Sequence, residues 1–346
     1  MTWEIFTGDG EPRRLEGKEH AWQGRLPDPP PWRAPRSADG EDPPTPFVMT
    51  DALRQAINAA LHLRRPLLLM GPAGMGKSSV VDVIARELEL GPVLRWHITS
   101  KSVVTDGLYQ YDALDRLHAT QLARGRKQPR ERSAHVSDDP PEMPGTGAAK
   151  ETRGPVDADE AAIERFIKLG PLGTALADRA PRAVLIDEID KSDLDLPGDL
   201  LNVIEGLEFE IPPLLRNRGD EFRVRGADDG TYDVGGGKVR AAEFPVIVFT
   251  SNSERTFPPP FLRRCVRFEM RKPGRELLTE IVQKHLQHVP DSARSEIGLF
   301  AAELESGTKL AINQLLELVH LMTGQNINGK ELEELRELIV KSLTER

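Results

Sequence analysis

The stretch from Leu67 to Leu90, LLLMGPAGMGKSSVVDVIARELEL, constrains this chain more than any other. The apolar run Leu67–Met70 reads as a buried parallel strand, and SSVVDVIAREL reads as a helix. Between them, Gly71-Pro72-Ala73-Gly74-Met75-Gly76-Lys77-Ser78 fits G-x-x-x-x-G-K-[ST] without a mismatch. Gly71, Gly74 and Gly76 let successive backbone N–H groups point inward as an anion nest. The helix that opens at Lys77, Ser78 and Ser79 turns its unpaired donors and positive dipole end to the same spot. Lys77 would reach β- and γ-phosphates, and the Ser78 hydroxyl would ligate Mg2+. A loop that is merely flexible is the alternative, but the strand before it and the helix after it are the context a phosphate cradle requires.

Such a cradle needs a second metal-side group and a group that activates water. Ala183–Ile186 form a second apolar run, which delivers Asp187 and Glu188 at its C-terminal end, the edge where doubly wound sheets bind ligands. Asp187 would hold Mg2+, and Glu188 would polarise the attacking water. Asp190 is open between a site role and capping the next helix. The run VIVFTSN ends in Asn252, placed to hydrogen-bond a γ-phosphate or the lytic water from a neighbouring strand. Arg263 and Arg264 stand just before another apolar run, Cys265–Phe268. An arginine can stabilise charge on a transferring phosphoryl group; the pair stays unranked. Lys309, in GTKLAINQLL, is a lid-borne cation candidate for the phosphates, with a solvated lysine as the plain alternative.

Composition narrows the classes. With 46 basic and 55 acidic residues, the net charge of −9 argues against bulk nucleic-acid binding, although Arg124–Arg132 is a local basic run. One cysteine, Cys265, excludes an intrachain disulfide or a Cys-rich zinc site and fits a reducing compartment. The N-terminus lacks an apolar signal region and no run of 18 apolar residues occurs, so a soluble, cytoplasmic protein without membrane contact is expected.

Residues 1–44 are rich in Pro, Gly and charge and are expected to be a disordered tail, with Trp22 and Trp32 as possible partner anchors. Thr50 is the expected N-cap of a helix carrying Leu53, Ile57 and Leu61 on one face. VLRWHITS (93–100) is an expected strand, 119–160 a polar insertion, AAIERFIKLG a helix, and PGDLLNVIEGLEF another. Hairpins are expected over 209–243, with turns at Asn217–Gly219, Asp229–Gly230 and Gly235–Gly237. From residue 273 to 346 the pattern is amphipathic helix throughout. The expected fold class is therefore α/β, a nucleotide-binding domain over 45–272 with a parallel sheet flanked by helices, followed by a small all-α domain over 273–346.

The order GPAGMGKS, LIDEIDKSD, FTSN, FLRRC, then helices, resembles AAA+ ATPases. More narrowly, TSKSVVTDGLYQYDALDRL, PLGTAL and LIDEIDKSDLDLPGDLLNVIE are similar to the MoxR branch, whose members are often encoded in bacterial conflict or defence gene modules. The resemblance spans roughly residues 45–325. It implies Walker A at Gly71–Ser78, Walker B at Asp187 and Glu188, sensor 1 at Asn252 and an arginine-finger region at Arg263 and Arg264. It also implies adenine near Phe47–Met49, a pre-sensor-1 hairpin at 209–243, and Lys309 where a sensor-2 arginine usually stands. The activity the resemblance implies is hydrolysis of ATP, with Mg2+, in a hexameric ring that remodels an unidentified protein client. The alternatives are a nucleotide-dependent assembly switch acting on an effector, and a DNA-associated ATPase.

Overall fold

The computed structural model describes residues 16–17, 19–20, 26–33, 46–126, 163–217, 219–286, 289–324 and 329–340. Trp22, residues 127–160 of the expected insertion and the 127–132 part of the basic run lie outside the described residues.

Helix α1 (Asp51–Leu63) starts where Thr50 accepts a hydrogen bond from the Leu53 N–H at 3.3 Å, and it stops at left-handed Arg64. Its Leu53, Ile57 and Ala60 are buried, following the i, i+4, i+7 spacing of one helical face. Strands β1 (Leu67–Met70), β2 (Leu94–His97), β5 (Ala183–Asp187), β10 (Val246–Ser251) and β11 (Val266–Glu269) form one sheet in the order β11-β1-β10-β5-β2, parallel throughout. The middle strands β1, β10 and β5 are covered on both faces, which is why their sequences are unbroken apolar runs. One face carries α1 and α2 (Lys77–Glu87) in a core with Leu67, Leu69, Leu185 and Val248. The other carries Leu68, Ile186 and Phe249, packed with α5 (Pro171–Ala177) and α6 (Leu196–Gly206).

That second core continues into a smaller sheet of order β3-β4-β7-β8-β9-β6. It comprises β3 (Tyr109–Tyr111), β4 (Ile167–Leu169), β6 (Glu208–Glu210), β7 (Glu221–Arg225), β8 (Thr231–Gly235) and β9 (Lys238–Arg240). Two expectations change here. AAIERFIKLG is not a helix: Ile163–Phe166 form a 3-10 turn, and β4 pairs antiparallel with β3, because Ile167 and Leu169 find cross-strand partners. The polar stretch from 119 begins as helix, since α4 (Ala113–Arg126) runs on through it. Asn217 follows a short helix, α7 (Pro212–Leu215), residue 218 of the expected turn lies outside the described residues, and the hairpin turns described are 226–230 and Gly236–Gly237.

After α8 (Pro259–Arg264) and β11 come α9 (Arg275–His285), α10 (Ala293–Glu305), α11 (Ile312–Gly324) and α12 (Gly329–Ile339). Leu278, Val282, Phe300, Leu304, Leu315 and Val319 give this bundle its own core. Residues 26–33 depart from the free tail expected there. Pro31–Arg33 form a 3-10 turn, and Trp32 packs on the bundle because its indole supplies the apolar surface the surrounding prolines and charges lack. No helix among the described residues is long and apolar enough to cross a membrane.

Candidate functional site

Four parallel strands end at one edge, and their last residues meet in register. Leu69 lies opposite Thr250 and His97 opposite Asp187, and the Thr250 hydroxyl donates to Asp187 Oδ1. The glycine-rich loop leaves β1 at this edge. Gly71 has φ of +143°, and a Cβ there would lie 2.7 Å from the Met270 carbonyl oxygen, so only glycine fits where β11 passes the loop. Gly74 and Gly76 are left-handed, and α2 begins at Lys77 with Gly76 as its N-cap.

Lys77 is 6% exposed, and its ammonium donates to Gly71 O at 2.7 Å, Pro72 O at 2.7 Å and Asn252 Oδ1 at 2.8 Å. Burial lowers its pKa, opposed by the charges of Asp190, Asp187 and Glu188. Ser78 Oγ donates to Asp187 Oδ1 at 2.9 Å. Two neighbouring hard oxygens suit Mg2+, which takes one or two protein oxygens and completes its shell from phosphate and water. A cluster of three or more His, Cys, Asp or Glu able to hold a metal does not occur among the described residues.

Glu188 follows β5 in a left-handed conformation (φ +59°), fixed by its N–H donating to Thr250 Oγ1 at 2.9 Å. Its Oε1 accepts from Asn252 Nδ2 at 3.2 Å, and its Oε2 lies 2.6 Å from Lys191 Nζ and 3.3 Å from His97 Nε2. Burial pushes this carboxyl up, but Lys191, Asn252 and His97 outweigh it, so its pKa falls below the ordinary value. Asp190 does not cap a helix by its side chain. It is buried, and its Oδ2 accepts from the N–H groups of Asn252 and Glu254 at 3.0 and 3.1 Å, which sets the loop carrying Asn252.

The arginine pair lies elsewhere. Val266 is level with Leu67 and Glu269 with Met70, so Arg263 and Arg264 stand at the opposite end of β11 from the loop, about 13 Å of strand away. Arg65, just ahead of β1, donates to the carbonyls of Arg263, Arg264 and Cys265. Arg264 pairs with Glu205 of α6, while Arg263 is exposed and makes no side-chain ion pair or hydrogen bond among the described residues.

A cavity of about 840 Å³ lies between the loop and the bundle, within the range of small-molecule sites. Gly74, Met75, Gly76 and Ser79 line one side, Phe47 and Val48 another, and Ile312, Asn313 and Leu316 the bundle side. Met75 is buried in the bundle's core. Pro72 and Ala73 complete the loop. Lys309 is exposed in the connection before α11 and is not among the lining residues; Ala311 and Asn313 are the residues that approach Gly74. Residue type favoured Lys309, but the first turn of α11 is what approaches the loop. His97, Thr250 and Lys191 also went unpredicted. His97 ends its strand and Thr250 stands one residue before the end of its own, at the same edge as Asp187, and that position is the signal that would have found them.

No family model matches the chain, and no curated protein matches it. Among solved structures it is similar to the RuvB Holliday junction branch migration motor of Thermotoga maritima, at 14% identity, with 88% of this chain and 72% of that chain covered and a TM-score of 0.43.

Proposed function

We propose that this chain is an AAA+ ATPase that hydrolyses ATP to ADP and phosphate at the C-terminal edge of its parallel sheet. The observation that carries the reading is the convergence of Lys77, Ser78, Asp187, Glu188 and Asn252 within hydrogen-bonding distance at that edge. The loop amides and the N-terminus of α2 bind the phosphates, and Lys77 exchanges its carbonyl partners for β- and γ-oxygens. Ser78 and Asp187 would hold Mg2+, which supplies neutralisation of phosphate charge when bound. Glu188 accepts the proton of the attacking water as its oxygen bonds to the γ-phosphorus and the bond to the β-γ bridging oxygen breaks. Asn252, held by Asp190, orients that water or the phosphate.

The arginine positions support a site completed by a second copy of the chain, because neither Arg263 nor Arg264 reaches its own loop. The reading accordingly extends to a ring, a hexamer by the resemblance to MoxR-type proteins, which remodels a protein client. A second reading is favoured by the ion pair of Glu188 with Lys191: a base held in that pair suits slow turnover, with ATP binding driving assembly on an effector.

Phosphate release from ATP by the purified chain tests the proposal. Wild type should turn over with Mg2+, Lys77→Ala should neither bind nor hydrolyse, and Glu188→Gln should bind ATP with hydrolysis reduced by roughly a hundredfold or more. Equal ATP affinity in wild type and Lys77→Ala would remove the cradle from the account.

A further inference from the structure

The cavity beside the glycine-rich loop has a wall to which a segment outside the loop, the sheet and the bundle contributes. Trp32, from the Pro-rich segment ahead of the sheet, lines it together with Ile281 and His285. Its indole packs in T-shaped fashion with the imidazoles of His285 and His320, with ring centroids 6.4 and 5.7 Å away and planes at 69° and 72°. Beside it, Arg33 Nη2 contacts Glu317 Oε1 at 2.5 Å. Further along the same strand of chain, Lys284 donates to the Phe47 carbonyl at 3.3 Å. The segment is thus tied to α9 and α11, and its Trp32 lines the same space as Gly74–Gly76.

From this arrangement we propose that residues 26–33 form a strap over the nucleotide site and that Trp32 is a base-contacting residue, its ring walling the end of the cavity away from the phosphates. The inference rests on the nucleotide reading of the loop and adds the residue that meets the base. Three features support it. An aromatic face is what a nucleobase stacks on, and such stacking is tolerant of base identity. The cavity is large enough to hold a nucleotide with the strap in place. The strap itself is held by one aromatic and one exposed ion pair, so its docking is marginal alone and gains from a ligand that touches it. The indole Nε1 is also buried without a hydrogen-bond partner among the described residues, a cost that a ring lacking the N–H would not carry.

The test is titration of the full chain, with Mg2+, by ATP, GTP and inorganic tripolyphosphate. Trp32→Ala should lose about tenfold in affinity for ATP and GTP alike. Its affinity for tripolyphosphate, which has no base, should stay at the wild-type value. Trp32→Phe keeps the ring and sheds the unpaired N–H, so it should bind ATP within about threefold of wild type. Unchanged ATP affinity in Trp32→Ala overturns the proposal and leaves the phosphate cradle standing. A parallel loss of tripolyphosphate would assign Trp32 to the integrity of the bundle, and a Trp32→Phe variant as weak as Trp32→Ala would remove ring stacking; either result overturns the proposal. A wild-type chain that binds neither ATP nor tripolyphosphate fails at the cradle itself.

Discussion

The carbonyl of Gly74 accepts a hydrogen bond from the N–H of Ile312 at 3.3 Å, which joins the glycine-rich loop to the first turn of α11. The approach leaves no space for a side chain: a Cβ on Gly74 would lie 2.4 Å from Ala311 Cβ and 2.9 Å from Ala311 Cα. The loop and the bundle are therefore joined at this point, and under the proposed function a nucleotide between them would touch both.

Gly74→Ala tests that coupling. A left-handed alanine costs about 1–2 kcal/mol, and the overlap adds about 1–3 kcal/mol. ATP affinity should fall by at least about tenfold, with a lower thermal midpoint. Adding Ala311→Gly removes the nearer clash while leaving Cα in place, so the double variant should recover part of the loss. Additive losses would show that the contact does not couple the two bodies.

How much of this was legible follows from what each residue depends on. The strands LLLM, AVLID and VIVFTS announce themselves because burial on both faces demands an unbroken apolar run. The Thr50 cap is legible because a cap is local. The three-residue strands β3, β4 and β6 are too short to display a period, and Ile163, Phe166 and Ile167 mimic a helical face although Ile163–Phe166 form a 3-10 turn and Ile167 pairs with β3. Within the site, Lys77, Ser78, Asp187, Glu188 and Asn252 are found by spacing and strand position, and the structure brings them together. His97 shares the strand-end position that marks Asp187, whereas Asn313 is set by which helix becomes the loop's neighbour, and no local signal in the chain marks it.

The Lys191 ammonium is the neighbour that most lowers the Glu188 carboxyl. Burial alone raises the Glu188 carboxyl, and the bonds from Lys191 and Asn252 with the charge near His97 bring it below the usual carboxylate value. A base works ionised, so this keeps it active as pH falls. Lys191→Met should raise the Glu188 pKa and move the acidic limb of the ATPase pH–rate profile to higher pH. A limb that stays in place would belong to another group.

Arg182, at the head of β5, ties the smaller sheet to the larger. It donates to Asp178 and Asp228, each at 2.9 Å, and to the Tyr232 hydroxyl at 3.2 Å, with 9% of its side chain exposed. Burial raises the Asp228 carboxyl, but hydrogen bonds from Tyr232 and Arg182 bring it lower overall; burial and Asp228 push Tyr232 up to about 12. A depressed folded-state pKa contributes stability above the unfolded value, lost as pH falls through the folded one. Arg182→Met should therefore cost about 3–5 kcal/mol in urea unfolding at neutral pH and shift acid unfolding to higher pH. A loss under about 1 kcal/mol would mean that the two carboxylates find other partners.

The two arginines differ in what they are free to do. Arg264 is paired with Glu205 of its own subunit, whereas Arg263 projects from α8 without a side-chain partner among the described residues. Both stand at the end of β11 away from the glycine-rich loop, so under the proposed function a direct effect on hydrolysis would be exerted on a neighbouring copy. An arginine acting in this way contributes roughly 10³–10⁵ in rate. Arg263→Ala should spare ATP binding and cut turnover by about that factor, and Arg264→Ala should lose far less. Mixing Arg263→Ala with Lys77→Ala should restore part of the activity, because a mixed pair places an intact cradle against an intact Arg263. Turnover that stays absent at every mixing ratio, while the mixed oligomer forms, would confine each site to one subunit.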